Sequence, residues 1–169
     1  MEELIKLISP KYKALEEMPY RQGVIGIITN NRDQFLLVQM VTYGEGQWRF
    51  PGGGVDEGET HQQALLRELK EELDTDKFEI IKESTQLVEY DWPLNVVIDQ
   101  IKNKNRFFRG QQQKQFLVNF VGETEDIKPD PSELRAIKWV DYNDLPSHFV
   151  FDNQWGVAEK TIKELLQVI

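Results

Sequence analysis

Four glutamates, Glu59, Glu68, Glu71 and Glu72, stand within the stretch GGVDEGETHQQALLRELKEELDT that runs from Gly53 to Thr75. Carboxylate oxygens are hard ligands that suit Mg²⁺ or Mn²⁺, and several at close quarters suit the holding of such a cation against a diphosphate. The spacing acquires geometry once the residues after Thr60 are helical. Thr60 followed by Gln63 has the capping-box pattern and Gly58 supplies a turn before it, so a helix is expected from His61. At roughly 100° per residue, Leu65, Leu66, Leu69 and Leu73 form its core-facing stripe, and Glu68, Glu71 and Glu72 occupy the adjoining sector. Like charges at i, i+3 and i+4 oppose the helix by a few tenths of a kcal/mol per pair, roughly, unless a cation lies among them. Arg67, one turn before Glu71, offers a forked guanidinium to hold carboxylates in place.

RELKEEL taken alone also fits the solvated face of an ordinary amphipathic helix. Its context argues for more. Upstream, at fixed distance, come Trp48-Arg49-Phe50-Pro51 and the triple glycine Gly52-Gly53-Gly54, whose backbone can approach a ligand and whose freed carbonyl can join a metal shell.

The whole string resembles the Nudix box, the signature of Mg²⁺-dependent hydrolases that cleave a nucleoside diphosphate linked to another group. Gly53, Glu59, Arg67, Glu68, Leu69, Glu71 and Glu72 fill its positions in order. Asp74 and Thr75 depart from the Gly and aliphatic residue usual at its end. Asp tolerates the left-handed helix stop at modest cost, so the change concerns the helix exit and not the metal site. The resemblance implies an α/β/α sandwich with a mixed sheet.

Length and composition agree with one catalytic domain: 169 residues, 40% hydrophobic and 11% aromatic. The absence of cysteine excludes disulfides, thiolate metal sites and cysteine catalysis. Met1-Glu2-Glu3 lacks the basic region of a signal peptide and no apolar run reaches the length of a membrane span, so a cytoplasmic protein without a membrane partner is expected. A net charge of −9 argues against duplex DNA as a partner. Yet residues 100 to 122 carry Lys102, Lys104, Arg106, Arg109 and Lys114 with no acid, and subtracting that +5 from −9 leaves −14 for the remainder. Such an island is either a solvated loop or a clamp for phosphates. Phe107 and Phe108 there fit either a core or a stacking platform.

Around this centre the chain divides into an appendage, residues 1 to 19, and a single domain, residues 20 to 169. Leu4, Ile5, Leu7 and Ile8 predict a short helix that stops near Ser9-Pro10 and offers an apolar surface to a partner. Strands are expected at Gly23 to Thr29, Phe35 to Met40, and near 78 to 82, 85 to 90, 95 to 100, 115 to 121 and 136 to 140. Trp155, Ala158, Ile162, Leu165, Leu166 and Ile169 predict a closing amphipathic helix.

A narrower resemblance extends from Tyr20 to about Val140. Tyr20-Arg21, Trp48 to Gly53, Tyr90 with Trp92-Pro93, the run Gly110 to Phe116 and Trp139-Val140 are similar to bacterial RNA 5′-pyrophosphohydrolases and dinucleoside polyphosphate hydrolases. The subgroup usually has Gln where Gly52 stands and a basic pair where Val41 and Thr42 stand, which bears on substrate more than on reaction. The resemblance implies hydrolysis of a phosphoanhydride in 5′-triphosphorylated RNA ends or dinucleoside polyphosphates. Glu68, Glu71, Glu72 and the Gly53 carbonyl would hold one to three Mg²⁺ or Mn²⁺ ions. Glu71, Glu72 and Glu133, the last in Pro129-Asp130-Pro131-Ser132-Glu133, are rival general bases. Arg21, Tyr90, Arg109 and Lys114 would bind substrate, and Arg67 and Glu59 would support the glutamates. The alternatives are a pyrophosphatase for free nucleotides or nucleotide sugars such as ADP-ribose, and a non-catalytic nucleotide-binding regulatory module. The two histidines, His61 and His148, are expected to be structural or exposed.

Overall fold

The computed structural model describes residues 1–167. Its centre is β1 (Tyr20–Thr29), an almost continuous apolar run that is buried over Gly23 to Ile28, as befits a strand covered on both faces. β1 lies parallel to β6 (Gly110–Phe120), in register from Tyr20 opposite Gly110 to Thr29 opposite Asn119. Its other neighbours are β2 (Phe35–Met40) and the three glycines of β3 (Gly52–Gly54), both antiparallel. β4 (Phe78–Glu83), β5 (Val88–Asp91) and β7 (Leu134–Val140) complete a seven-stranded mixed sheet ordered β4-β6-β1-β2-β7, with β3 on β1 and β5 on β6.

Alternation along β1 makes two cores. Val24 and Ile28, with Val38, Phe116 and Val118, face α2 (His61–Leu73), which contributes Ala64, Leu65, Leu69 and Leu73. Ile25 and Ile27, with Leu37 and Leu117, face α5 (Gln154–Leu166), which contributes Ile162 and Leu165. Each fully buried aliphatic side chain is worth roughly 1.5–3 kcal/mol, so both faces hold the sheet. The result is the expected α/β/α sandwich. Its short α4 (Leu145–His148) precedes Phe149, which joins the α5 core.

Several expectations are corrected. Residues 95 to 100 form no strand but lie in helix α3 (Leu94–Lys104). Val96, Val97 and Ile98 favour strand locally, but Pro93 sets the entry and Val97 and Ile101, four apart, bury against Leu4 and Ile8 of α1 (Glu2–Ile8). The apolar N-terminal segment thus packs on its own chain, and Glu3 also pairs with Lys102. Leu66, assigned to the α2 stripe, is 44% exposed, because the buried arc is centred on Leu65, Leu69 and Glu72. β1 and β6 each begin earlier than expected, and β5 is the edge strand Val88–Asp91. Ile169 lies outside the described residues.

Candidate active site

The capping box at the start of α2 is formed: Thr60 Oγ1 accepts from the Gln63 amide at 3.1 Å and Gln63 Oε1 accepts from the Thr60 amide at 2.9 Å. Asp74 closes the helix in the left-handed conformation, φ 50°. Leu65 lies directly over Gly26 of β1, which lets the helix settle against the sheet. That contact brings Glu68 over Gly53, where any side chain would collide with the Glu68 carboxylate. Gly52 is constrained still more tightly: at φ 153° its Cβ position is taken by the Val24 carbonyl. Glycine at 52 is therefore what the close packing of β3 on β1 accommodates here.

Glu72 is 1% exposed. Its Oε1 accepts from Arg49 Nη2 at 3.0 Å and its Oε2 from the Gly52 amide at 3.3 Å. Burial pushes its carboxyl up to about 7, against the pull of Arg49 and the Gly52 bond, with Glu68 and Glu133 adding to the rise. Glu68 is raised for the same reason, burial, which outweighs its bond to Arg67; Glu71 and Glu133 contribute. Arg67 binds Glu59 (2.8 Å), Glu68 (2.9 Å), Glu71 (3.2 Å) and the Gly54 carbonyl (3.0 Å). Although burial opposes its charge, the bonds to Glu59 and Glu68 raise its pKa. Glu71 is held at the exposed rim, and Glu59 keeps one oxygen, Oε2, buried without a partner among the described residues.

Glu133 comes from a loop tied to both sides of this cluster. The Asp130 amide donates to the Glu72 carbonyl at 2.9 Å, and the Val41 amide donates to the Glu133 carbonyl at 2.9 Å. Asp130 Oδ1 accepts from the Ser132 amide and hydroxyl at 2.9 and 2.8 Å, which shapes the turn. The Glu133 carboxylate is exposed, forms no ion pair among the described residues, and is close enough to raise both Glu68 and Glu72.

The substrate candidates separate into two groups. Arg21 packs its guanidinium on Gly54, beside the Glu68 and Asp56 carboxylates, and burial lowers its pKa. Tyr90 donates to Gln111 Oε1 at 3.0 Å on the neighbouring strand, and the residue is 43% exposed. Arg109, by contrast, is forked onto Asp91 through two bonds of 2.9 Å, bonds the Glu16 carbonyl and stacks on Tyr20. Lys114 lies 3.9 Å from Glu83 on β4. The sequence alone assigns no role to Arg49, whose signal is its place three residues before the first of the glycines. Its backbone pairs with Val38 (2.8 and 3.0 Å), and Nη2 also reaches the Gly52 carbonyl at 3.1 Å. His61 is partly exposed, while His148 bonds the Asp144 carbonyl and Lys138 Nζ.

Among the described residues, no three acidic or imidazole side chains already converge as a metal cage, because Arg67 and Arg49 engage the carboxylates. The donor set nevertheless fits a hard divalent cation. It offers two carboxylates whose charge burial leaves undercompensated, a third at the rim, and a glycine carbonyl beside them. Two recesses, of about 220 and 580 Å³, open along α5, and no glutamate of α2 lines either.

This architecture recurs in known proteins. The NUDIX domain family model matches residues 19–164. The RNA pyrophosphohydrolase of Orientia tsutsugamushi (strain Boryong) is 36% identical over 137 residues, covering 80% of this chain and 83% of the relative. That of Gluconobacter oxydans (strain 621H) is 40% identical over 128 residues, 73% of each. Among solved structures, the E. coli dihydroneopterin triphosphate pyrophosphohydrolase superposes with a TM-score of 0.66 at 22% identity, over 86% of this chain and 99% of that one. A C. elegans Ap4A hydrolase gives 0.60 at 20%, over 86% and 98%. The chain belongs to the NUDIX domain family. It is a hydrolase of that family, whose members generally use divalent metal ions. Among the described residues no helix is long and apolar enough to cross a membrane.

Proposed function

We propose that this hydrolase cleaves a phosphoanhydride bond at the 5′ end of triphosphorylated RNA or within a dinucleoside polyphosphate. The observation that carries the reading is the juxtaposition of the buried Glu68 and Glu72 with Gly53 on one side and the Arg21 guanidinium on the other. Carboxylates that burial leaves undercompensated sit there beside a cation that can receive phosphate oxygens. The RNA pyrophosphohydrolase names of the relatives agree with this substrate class.

Glu68, Glu71, Glu72 and the Gly53 carbonyl would hold Mg²⁺ or Mn²⁺, one to three ions, which when bound neutralises phosphate charge and acidifies water. Arg21 binds a phosphate oxygen and Tyr90 borders the bound nucleotide. Glu133 takes the proton of the attacking water: its carboxylate forms no ion pair among the described residues and faces the other two, whereas both oxygens of Glu72 are engaged by Arg49 and Gly52. The water oxygen forms the new bond to phosphorus, the bridging P–O bond breaks, and the released phosphate takes its electron pair. Arg67 and Glu59 position Glu68 and Glu71, and Arg49 positions Glu72. Such a substrate places the reaction in the cytoplasm.

The test is incubation of pure protein with Mg²⁺ or Mn²⁺ and triphosphorylated RNA, diadenosine tetraphosphate, ADP-ribose and nucleoside triphosphates, followed by product identification. Turnover of either of the first two, lost in Glu72→Gln, supports the reading. Turnover of ADP-ribose or free triphosphates alone would move the assignment to a nucleotide or nucleotide-sugar pyrophosphatase. Binding without turnover of any would leave a regulatory module.

A further inference from the structure

Three cations of the basic segment are neutralised within the fold: Lys102 by Glu3, Arg109 by Asp91 and Lys114 by Glu83. Arg106 is exposed and forms no ion pair among the described residues, and neither does Arg21. The segment that carries Arg106 is tied to the start of β1, where the Arg109 amide donates to the Pro19 carbonyl at 3.0 Å and Gly110 pairs with Tyr20, next to Arg21; burial, and after it the Arg106 charge, lowers the Arg21 pKa. Arg21 has the Glu68 and Asp56 carboxylates beside it, whereas Arg106 has no acidic partner among the described residues, and a cation held so marks a place prepared for an anion. Arg106 is held there by structure, since the α3 exit turns at Asn105 (φ 51°) and the Arg106 amide donates to the Gln100 carbonyl at 3.0 Å.

The series continues away from the glutamates. Phe107, next to Arg106, carries Lys11 Nζ over its ring at 4.1 Å from the centroid, with Tyr12 beside it at 6.4 Å. Lys11 belongs to the segment before residue 19, outside the span the NUDIX family model matches. Its backbone is fixed by the Lys11 and Tyr12 amides, both donating to the Ile8 carbonyl at 2.8 Å. Lys11 too forms no ion pair among the described residues. From Lys11 over Phe107 and the adjacent Arg106, the segment runs to the start of β1, where Arg21 packs on Gly54 beside the glutamates, in a chain whose net charge is −9.

We infer that Arg106 and Lys11 form a track for the phosphodiester backbone of single-stranded RNA, holding the nucleotides that follow the 5′ end engaged at Arg21. The N-terminal segment thereby adds a polymer-binding surface to a site that would otherwise meet only a nucleotide. This rests on the RNA reading above, and a dinucleoside polyphosphate, which has no further phosphodiester, would not use it. Two contacts at roughly 0.7 of a counterion each steepen the log–log salt dependence by about 1.4, and at ~0.1 M salt they are worth roughly ten- to thirtyfold in affinity.

The experiment compares kcat/KM on a triphosphorylated dinucleotide with that on a triphosphorylated 12-mer, for the wild type and for Lys11→Ala/Arg106→Ala. In the wild type the longer RNA is expected to be favoured about tenfold or more, through KM, and increasingly so at low salt. In the double variant the ratio falls toward one and the salt slope for the 12-mer becomes shallower. An unchanged ratio, or an equal loss on both RNAs, overturns the track; the second outcome would assign these cations to the 5′ phosphates. Wild-type protein that hydrolyses diadenosine tetraphosphate but neither RNA would overturn the RNA reading itself, and the track with it. Intact folding of the variant is checked by its thermal midpoint.

Discussion

Replacing Glu72 by Gln should stabilise the metal-free protein at neutral and alkaline pH while abolishing its turnover. The Glu72 carboxyl, ordinarily 4.5, stands at about 7 in the folded chain because burial disfavours its charge. Between these two values the native state binds a proton that the unfolded state has released, so this group's contribution is fully present below about pH 4.5 and is lost as pH rises through about 7. At 1.36 kcal/mol per pKa unit the loss amounts to roughly 3 kcal/mol. For a chain of this length that is a shift of roughly 6–12 °C in the thermal midpoint. Gln keeps the shape and can still accept the Gly52 amide, and Arg49, the partner it loses, is in partial contact with water. The assay is chemical denaturation of wild type and Glu72→Gln, freed of metal with chelator, from pH 4 to pH 9. Subtracting the curves cancels groups of opposite sign such as Asp91 and Asp126, whose pKa values are lowered by Arg109 and Lys77. The difference should grow in favour of Gln by about 3 kcal/mol between pH 4.5 and 7 and then level off. Saturating Mg²⁺ or Mn²⁺ should nearly cancel it by stabilising the wild type alone, about 2.7 kcal/mol at a hundred times the dissociation constant. A difference that is flat in pH would refute the claim that Glu72 is buried at the expense of its charge.

Glu133→Gln should lower kcat by about 10²–10⁴ with little change in KM, as removal of a general base does; an unaltered pH–rate profile with full activity would return the role to Glu71 or Glu72. Arg21→Ala should raise KM for polyphosphate substrates, whereas Arg109→Ala should chiefly lower the thermal midpoint, because Arg109 is engaged by Asp91, Tyr20 and the Glu16 carbonyl. Equal KM effects of the two would show that Arg109 leaves Asp91 for substrate. Gly52→Ala should destabilise the fold by at least roughly 1–3 kcal/mol, since the backbone at φ 153° is strained for any side chain and the Val24 carbonyl occupies the Cβ position. Denaturation midpoints test it.

Much of α2 was legible because its determinants are local. The Thr60–Gln63 box, the left-handed stop at Asp74 and the Leu65, Leu69, Leu73 stripe all lie within a few residues of one another, as does the spacing of Arg67 from Glu68 and Glu71. The run Phe35 to Met40 likewise carries its own strand pattern. α3 was misread because Val96, Val97 and Ile98 favour strand until α1, some ninety residues earlier, offers Leu4 and Ile8 to one helical face. The basic island was visible as charge, but its division was not. Lys102 finds Glu3 at a separation of 99 residues, while Arg106 finds no acid among the described residues.

By itself the sequence determined the parts of the candidate site: Glu59, Glu68, Glu71 and Glu72, the arginine that holds them and the glycines that admit them. Caps, turns and helical spacing act between near neighbours, so residue order alone specifies them. Only the tertiary structure decided which of those glutamates is buried, that Arg49 is the partner of Glu72 across 23 residues, and which cations remain free to meet a phosphate. Burial and long-range pairing depend on the closing of the sheet on its helices, and a carboxylate's charge is set by what that closure leaves around it.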